Sequence, residues 1–281
     1  MVLKCKVCGA PVPPEKRDCQ ACGEDNGAPN VRLAQSEAER KALMRRLKDS
    51  ETSTKARNCG DVLDRFADAV LTSYAVIARS LAVVQDLVEG GRTYTNYHRQ
   101  LASGARLAED NEWDRTRTQV DAALFPNFHQ EVVFASLSLD CRGMSGYGEY
   151  VMVLKEPLIA RRASVFEANP YDLVDKLGWL LTKPIPPGYR APWNERQLLA
   201  KAKLHSELTA ATADADFPSI LACDRGGTGN SDFIEVHIYG PLNMHTIEKV
   251  VGPKPRTRED RLIFKRLEQK LSEIGAKLET T

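Results

Sequence analysis

The chain lacks a dominant charge: 39 Lys and Arg against 38 Asp and Glu leave a formal net charge of +1. No global field draws it to nucleic acid or to a membrane surface, so any such contact has to be local. It also lacks a long apolar run. A membrane-crossing helix needs about 18 consecutive apolar residues, and no stretch provides them. The start, Met1-Val-Leu-Lys-Cys5, has no cationic stretch leading into an apolar one, so no secretory signal peptide is expected. Internal repeats and low-complexity tracts are absent. What is there is an ordinary globular composition, 42% apolar and 27% charged, which excludes disorder and collagen-like architecture. A chain of 281 residues corresponds to about one or two domains and can bury a sizeable core without staples.

Of seven cysteines, four crowd near the N-terminus, while Cys59, Cys141 and Cys223 stand singly without a Cys or His at ligand spacing. That distribution is not a disulfide framework. It predicts a reducing, cytoplasmic setting and one metal site, with the three single cysteines as packing residues. Cys5-Lys-Val-Cys8-Gly9 and Cys19-Gln-Ala-Cys22-Gly23 are two Cys-x-x-Cys-Gly knuckles separated by ten residues. Two thiolates so spaced can grip one ion from a tight turn, and the following glycine lets the backbone fold back toward sulfur. Two knuckles supply four soft ligands, which favours structural Zn2+ and closes the sphere to water; an iron site is the alternative. Residues 1–27 resemble a zinc ribbon. Its few large apolar residues (Val2, Leu3, Val7, Val12) would barely fold without metal. Lys4, Lys6, Lys16 and Arg17 could touch phosphate, but scattered cations are more simply the solvated surface of a docking module.

Residues 24–35, with Asn26-Gly27 and Pro29, predict a linker. Ser36-x-x-Glu39 predicts a capped helix to about Lys48. Apolar residues recurring every three or four positions from Leu63 to Val88 predict one long helix over 61–88, with Asp61 as N-cap and Gly90-Gly91 as stop. Strands are expected at 131–139, 147–154 and 232–239, with a flexible Gly143–Gly146 turn between the first two. Helices are expected at 194–208, after a Pro- and Gly-rich loop, and at 256–278, where Leu267, Leu271, Ile274 and Leu278 form one stripe. Gly226-Gly-Thr-Gly229 lacks a following Lys-Ser/Thr and reads as a hairpin loop, not a phosphate loop.

The strand Asp232-Phe-Ile-Glu-Val-His-Ile-Tyr239 is the most informative of the large domain. Phe233, Glu235, His237 and Tyr239 share one face, and a carboxylate in mid-strand with apolar neighbours needs a partner, a cleft or water. Phe-Ile-Glu235-Val-His-Ile-Tyr-Gly-Pro-Leu242 followed by Ile247-x-x-Val-Val251 resembles the last conserved strand of ADP-ribosyltransferase domains, over a region of about residues 92–251. The resemblance implies that Glu235 is the catalytic residue, that NAD is the substrate, and that the acceptor is a macromolecule, protein or nucleic acid. It further implies that Tyr94-Thr-Asn-Tyr97-His98 is the first strand, with His98 on the NAD ribose. Ser136, Ser138 and Tyr147 would lie near the nicotinamide, Tyr147 stacking on the ring. Arg92, Arg99 and Arg142 are candidates for the pyrophosphate. The sequence departs from the family in having neither a Ser-Thr-Ser triplet nor a Glu-x-Glu pair, since Phe233 and His237 flank Glu235.

The expected fold is therefore α+β: a zinc ribbon (1–27), a linker with helices (28–91), and a mixed, β-rich ADP-ribosyltransferase-like domain with a C-terminal helix (92–281). The expected activity is transfer of ADP-ribose from NAD, the ribbon docking the target or a partner. Bland readings stand beside it. Glu235 could sit on a wet strand face, His98 on the surface beside a turn, Tyr147 at a strand start, and Arg161-Arg162 on a solvated rim. A non-enzymatic ribbon-based interaction protein is the alternative function. A metal-dependent hydrolase lacks the second His–carboxylate cluster it would need, His129, His205 and His245 being scattered.

Overall fold

The structure, a computed structural model, describes residues 3–94, 96–102, 112–170, 173, 185–225 and 231–281, with side chains set aside at 112–116. The expected hairpin loop at Gly226–Gly229 lies outside the described residues.

In chain order the elements are β1 (Leu3–Lys4), β2 (Pro11–Val12), α1 (Pro29–Ala34), α2 (Glu37–Ala56), α3 (Gly60–Leu71), β3 (Tyr74–Arg79) and α4 (Leu81–Glu89). Then follow α5 (Tyr97–Ala102), α6 (Glu112–Leu124), β4 (Val132–Ser138), β5 (Tyr150–Leu154), α7 (Glu156–Ile159), β6 (Ala163–Phe166) and β7 (Arg190–Pro192). The chain ends with α8 (Arg196–Leu204), α9 (Phe217–Leu221), β8 (Ala222–Cys223), β9 (Asp232–Phe233), β10 (Glu235–Tyr239), β11 (Ile247–Gly252), α10 (Arg258–Glu273) and β12 (Lys277–Thr280).

Eight strands form one mixed sheet in the order β12-β11-β5-β3-β4-β10-β6-β7, antiparallel except for the β11–β12 pair. Strand alternation divides its two faces. Ala75, Ile77, Val133, Ala135, Leu137, Met152, Val165, Val236 and Ile238 point to one side and join α2, α3, α4, α8 and α10 in a single large core. Burying such side chains contributes about 1.5–3 kcal/mol each, so this layer carries most of the fold's stability. The opposite face holds a smaller aromatic cluster, in which Phe125 and Phe128, just past α6, meet Phe166 and Phe134 of the sheet.

Several expectations need correction. The helix expected over 61–88 is three elements, α3, β3 and α4, and β3 is a central strand of the sheet. A central strand thus comes from the segment expected to hold only linker and helices. Cys59, not Asp61, is the N-cap of α3; Asp61 sits in its first turn. The linker at 24–35 ends in a helix, α1, whose Asn30 is buried against the sheet. Tyr94–His98 is not a strand: Tyr94 makes one isolated bridge to Leu242, and a helix starts at Tyr97. The C-terminal helix stops at Glu273, and Leu278 lies in the edge strand β12. Arg161 and Arg162 are not both on a solvated rim, because the Arg162 guanidinium donates to the carbonyls of Leu158, Tyr239 and Pro241. The capping reading at Ser36 holds in half: Ser36 Oγ accepts from Glu39 N at 3.5 Å, but the Glu39 carboxylate accepts from Gly188 N at 2.5 Å and pairs with Arg190 at 2.9 Å. That carboxylate fastens α2 to the edge strand β7.

Candidate functional site

On the sheet face away from the large helical core, β3, β4 and the start of β10 floor a cavity of about 500 Å³. Its walls come from Tyr94, Asn96, Tyr97 and Gln100, from Arg117 and Asp121 on α6, from the Met144–Tyr147 turn, and from Asn169-Pro170. Glu235 lies in this cavity and is buried. Antiparallel pairing sets it opposite Ser136 on β4 and Phe166 on β6. Burial pushes its carboxyl pKa up from the ordinary value, against the pull of His237 and Arg117 and with a further push from Asp121. His237, two residues on and on the same face, brings Nε2 to 3.3 Å from Glu235 Oε1. Its ring is fixed by Phe125 (4.7 Å, edge-on), Phe134 (5.4 Å, edge-on) and Phe166 (5.8 Å, tilted). The imidazole stands beside one carboxylate oxygen, and among the described residues its Nε2 makes no well-formed hydrogen bond.

Ser136 lines the same cavity and donates its hydroxyl to the Val76 carbonyl at 3.4 Å. Ser138, two residues along the strand, does not line it; its hydroxyl bonds Asp140 at 3.1 Å. Tyr147 stands half-exposed at the rim on a single turn, Ser145–Tyr147. Gly148 holds that turn against β3. It has a φ of 141°, and a Cβ there would come within 2.2 Å of the Arg79 carbonyl carbon, so the loop can lie this close only with glycine. His98 does not line the cavity. It sits behind the wall, buried, with Nε2 2.6 Å from Asp121 Oδ2. The three arginines expected for a pyrophosphate are all elsewhere and paired: Arg92 with Asp86, Arg99 with Glu131, and Arg142 with Asp140.

The structure supplies two cationic residues that the sequence reading passed over, Arg79 at the end of β3 and Arg117 on α6. The Arg79 guanidinium carbon lies 5.5 Å from the Tyr94 ring and 5.8 Å from the Tyr147 ring. Among the described residues no carboxylate pairs with it. Among the described residues it faces two aromatic rings, bonds the Tyr94 side chain and donates to the Ala78 carbonyl at 2.6 Å. Arg117 Nε is 3.6 Å from Asp121 Oδ2, and its guanidinium carbon is 4.7 Å from the Tyr97 ring. Once Tyr74–Arg79 is seen as a strand, an arginine just past its apolar stretch and before the N-cap Ser80 is a legible signal. Arg117 and Asp121, one helical turn apart, left none.

The four N-terminal cysteines bring their sulfurs within 4.8 Å of one another, and Cys5–Cys22 and Cys8–Cys19 are each 3.6 Å apart. A tetrahedral ion with metal–sulfur bonds of about 2.3 Å has sulfur–sulfur edges of about 3.8 Å, so the donor set fits such an ion. Backbone N–H groups of Gly9 and Gly23 close the two knuckles onto the Cys5 and Cys19 carbonyls. Buried Asn26 lies beside the group, its Nδ2 3.9 Å from Cys5 Sγ. Among the described residues no other His, Cys or carboxylate cluster could hold a metal. Arg32 bolts the ribbon to α1 by donating to the carbonyls of Pro14, Lys16 and Gly27. No helix of the described residues is long and apolar enough to cross a membrane. No protein-family model and no curated protein matches this chain.

Proposed function

We propose that the chain transfers ADP-ribose from NAD to a macromolecular acceptor, and that its four N-terminal cysteines hold a structural zinc ion. The observation that carries the reading is the cavity in which a buried carboxylate (Glu235), a serine opposite it (Ser136), two tyrosines and a cation that pairs with no carboxylate among the described residues (Arg79) meet. A volume of about 500 Å³ is within the range of small-molecule and cofactor sites.

The chemistry follows from these groups. Breaking the bond between ribose and nicotinamide develops positive charge on the ribose ring, and a fixed carboxylate stabilises it as in glycoside cleavage. Glu235 would supply that charge and accept a ribose hydroxyl. Its raised pKa works in favour of coupling, because a cationic pyridinium entering the cavity draws the carboxyl into its ionised form when it is needed. His237, packed among three phenyl rings, lies 3.3 Å from one oxygen of that carboxylate. Arg79 and Arg117 would meet the pyrophosphate, and Tyr147 would cover the nicotinamide.

The test is nicotinamide release from NAD by the metal-loaded protein, wild type against Glu235→Gln. Release by the wild type and its loss in the variant, with NAD still bound, supports the reading. Absence of NAD binding and turnover, with cell lysate supplied as acceptor, refutes it in favour of an interaction protein.

A further inference from the structure

Beside Glu235 the cavity contains a second carboxylate with its own histidine. Asp121 lines the cavity wall from α6, yet its side chain is only 5% exposed. His98 from α5 donates or shares a proton with it across 2.6 Å, and is itself buried. Both protein contacts among the described residues, from His98 Nε2 and Arg117 Nε, fall on Oδ2. The His98 ring is braced edge-on by Tyr97 at 5.3 Å and by His129 at 4.8 Å. The charged and titratable groups around the pair are Arg117 on the same helix, His129, Tyr97 and Glu235. This ion pair presents its carboxylate to the cavity and holds its histidine behind it. That is the arrangement of a base with an orienting partner.

We propose that Asp121, oriented by His98, takes the proton from the attacking acceptor atom, and that the acceptor is therefore a hydroxyl or N–H group and not a carboxylate. This rests on the NAD reading above. In the step, the acceptor X–H attacks the ribose C1′, the C1′–X bond forms and the C1′–N bond to nicotinamide breaks. The electron pair of that bond stays on the ring nitrogen, so nicotinamide leaves neutral. The X–H proton passes to Asp121 and then to solvent. Glu235 stabilises the ribose cation, and Asp121 handles the proton. A carboxylate acceptor, already ionised, would have no use for the second group. His98 is a positioning residue in this scheme.

The experiment uses NAD as donor and water or added methanol as the acceptor probe, with nicotinamide and methyl-ADP-ribose measured on full-length, metal-loaded protein. Removing a general base costs on the order of 10²–10⁴-fold in rate, so Asp121→Ala is expected to fall that far in kcat with NAD affinity unchanged. Added formate, a small replacement base, is expected to restore at least about tenfold of that loss and to leave the wild type unaffected. His98→Gln, which keeps a donor for Asp121, is expected to retain most activity, whereas His98→Leu falls with Asp121→Ala. Asp121→Asn keeps the side-chain shape and shows that the loss is not one of folding. Unchanged turnover in Asp121→Ala and Asp121→Asn, or no response to formate, overturns the base while leaving the NAD reading intact. A wild type that neither binds nor cleaves NAD overturns both.

Discussion

Replacing Glu235 by Gln should abolish nicotinamide release and at the same time make the protein more stable at neutral pH. The amide keeps the volume of the side chain and a partner for His237, but removes a charge that the native state holds in an almost dry place. Burial raises the Glu235 pKa above its unfolded value, so the folded state binds the proton more tightly than the unfolded one. Below the unfolded value both states are protonated and no penalty exists. As pH rises through the interval up to the folded pKa, the native carboxyl must ionise in its low-dielectric site and stability is lost. A buried charged group with incomplete compensation costs about 1–3 kcal/mol, His237 offsetting part of the desolvation. At about 2.1 cal/mol/K per residue, a chain of this length has an unfolding entropy near 0.6 kcal/mol/K, so the gain corresponds to about 2–5 °C in Tm. Differential scanning calorimetry of both proteins from pH 5 to pH 8 reads it. The Tm difference should grow with pH and level off. A difference independent of pH, or a variant less stable than wild type at pH 8, would refute the claim that Glu235 is a destabilising group retained for its chemistry.

Arg79→Ala should weaken NAD binding by about tenfold to a hundredfold, the worth of one or two charge-assisted hydrogen bonds, with a shallower salt dependence in calorimetric titration. Removal of the metal with a strong chelator, or Cys8→Ser, should lose one ion per chain by elemental analysis and open residues 3–27 to protease while the far-ultraviolet signal of the sheet persists, since the ribbon's buried apolar core is only a small cluster around Val12, Cys5 and Cys19. Asn30→Ala should lower stability by about 2–4 kcal/mol in denaturant titration, because buried Nδ2 lies 2.9 Å from the His237 carbonyl, 3.0 Å from Ser164 Oγ and 3.1 Å from the Arg162 carbonyl.

What was legible depended on whether the signal was local. The four-cysteine group closes within a short segment, so its spacing alone marks it as able to hold an ion. The strand carrying Glu235 was legible because Glu235 and His237 alternate with Val236 and Ile238. Central strand β3 was not. Its residues Ala75 to Ala78 are buried on both faces, so alternation is missing, and Leu63, Phe66, Val70, Tyr74, Ile77 and Leu81 continue a helical spacing straight across it by coincidence of the two periods. The available hints were the β-branched pair Val76-Ile77 and the turn-favouring Thr72-Ser73. Missing β3 hid Arg79 with it. Asp121 was invisible for another reason: its meaning comes from His98 and from the cavity, both tertiary facts, and no spacing on α6 announces them.

The polar residues of the site and the stability of the fold are coupled through one register. On β10, Val236 and Ile238 are fully buried in the helical core, while Glu235 and His237 face the cavity side. A slip of one residue against β4 or β6 would turn both apolar side chains out and drive a carboxylate and an imidazole into a layer built mainly of apolar side chains. Each exchange costs several kcal/mol, more than the whole of a domain's usual margin when summed. The pairing of Glu235 with Ser136 therefore needs no contact of its own to be maintained. It is held by Val236 against Ala135 and Val165 and by Ile238 against Val133 and Ala163, so the residues that aim the carboxylate are the apolar ones behind it.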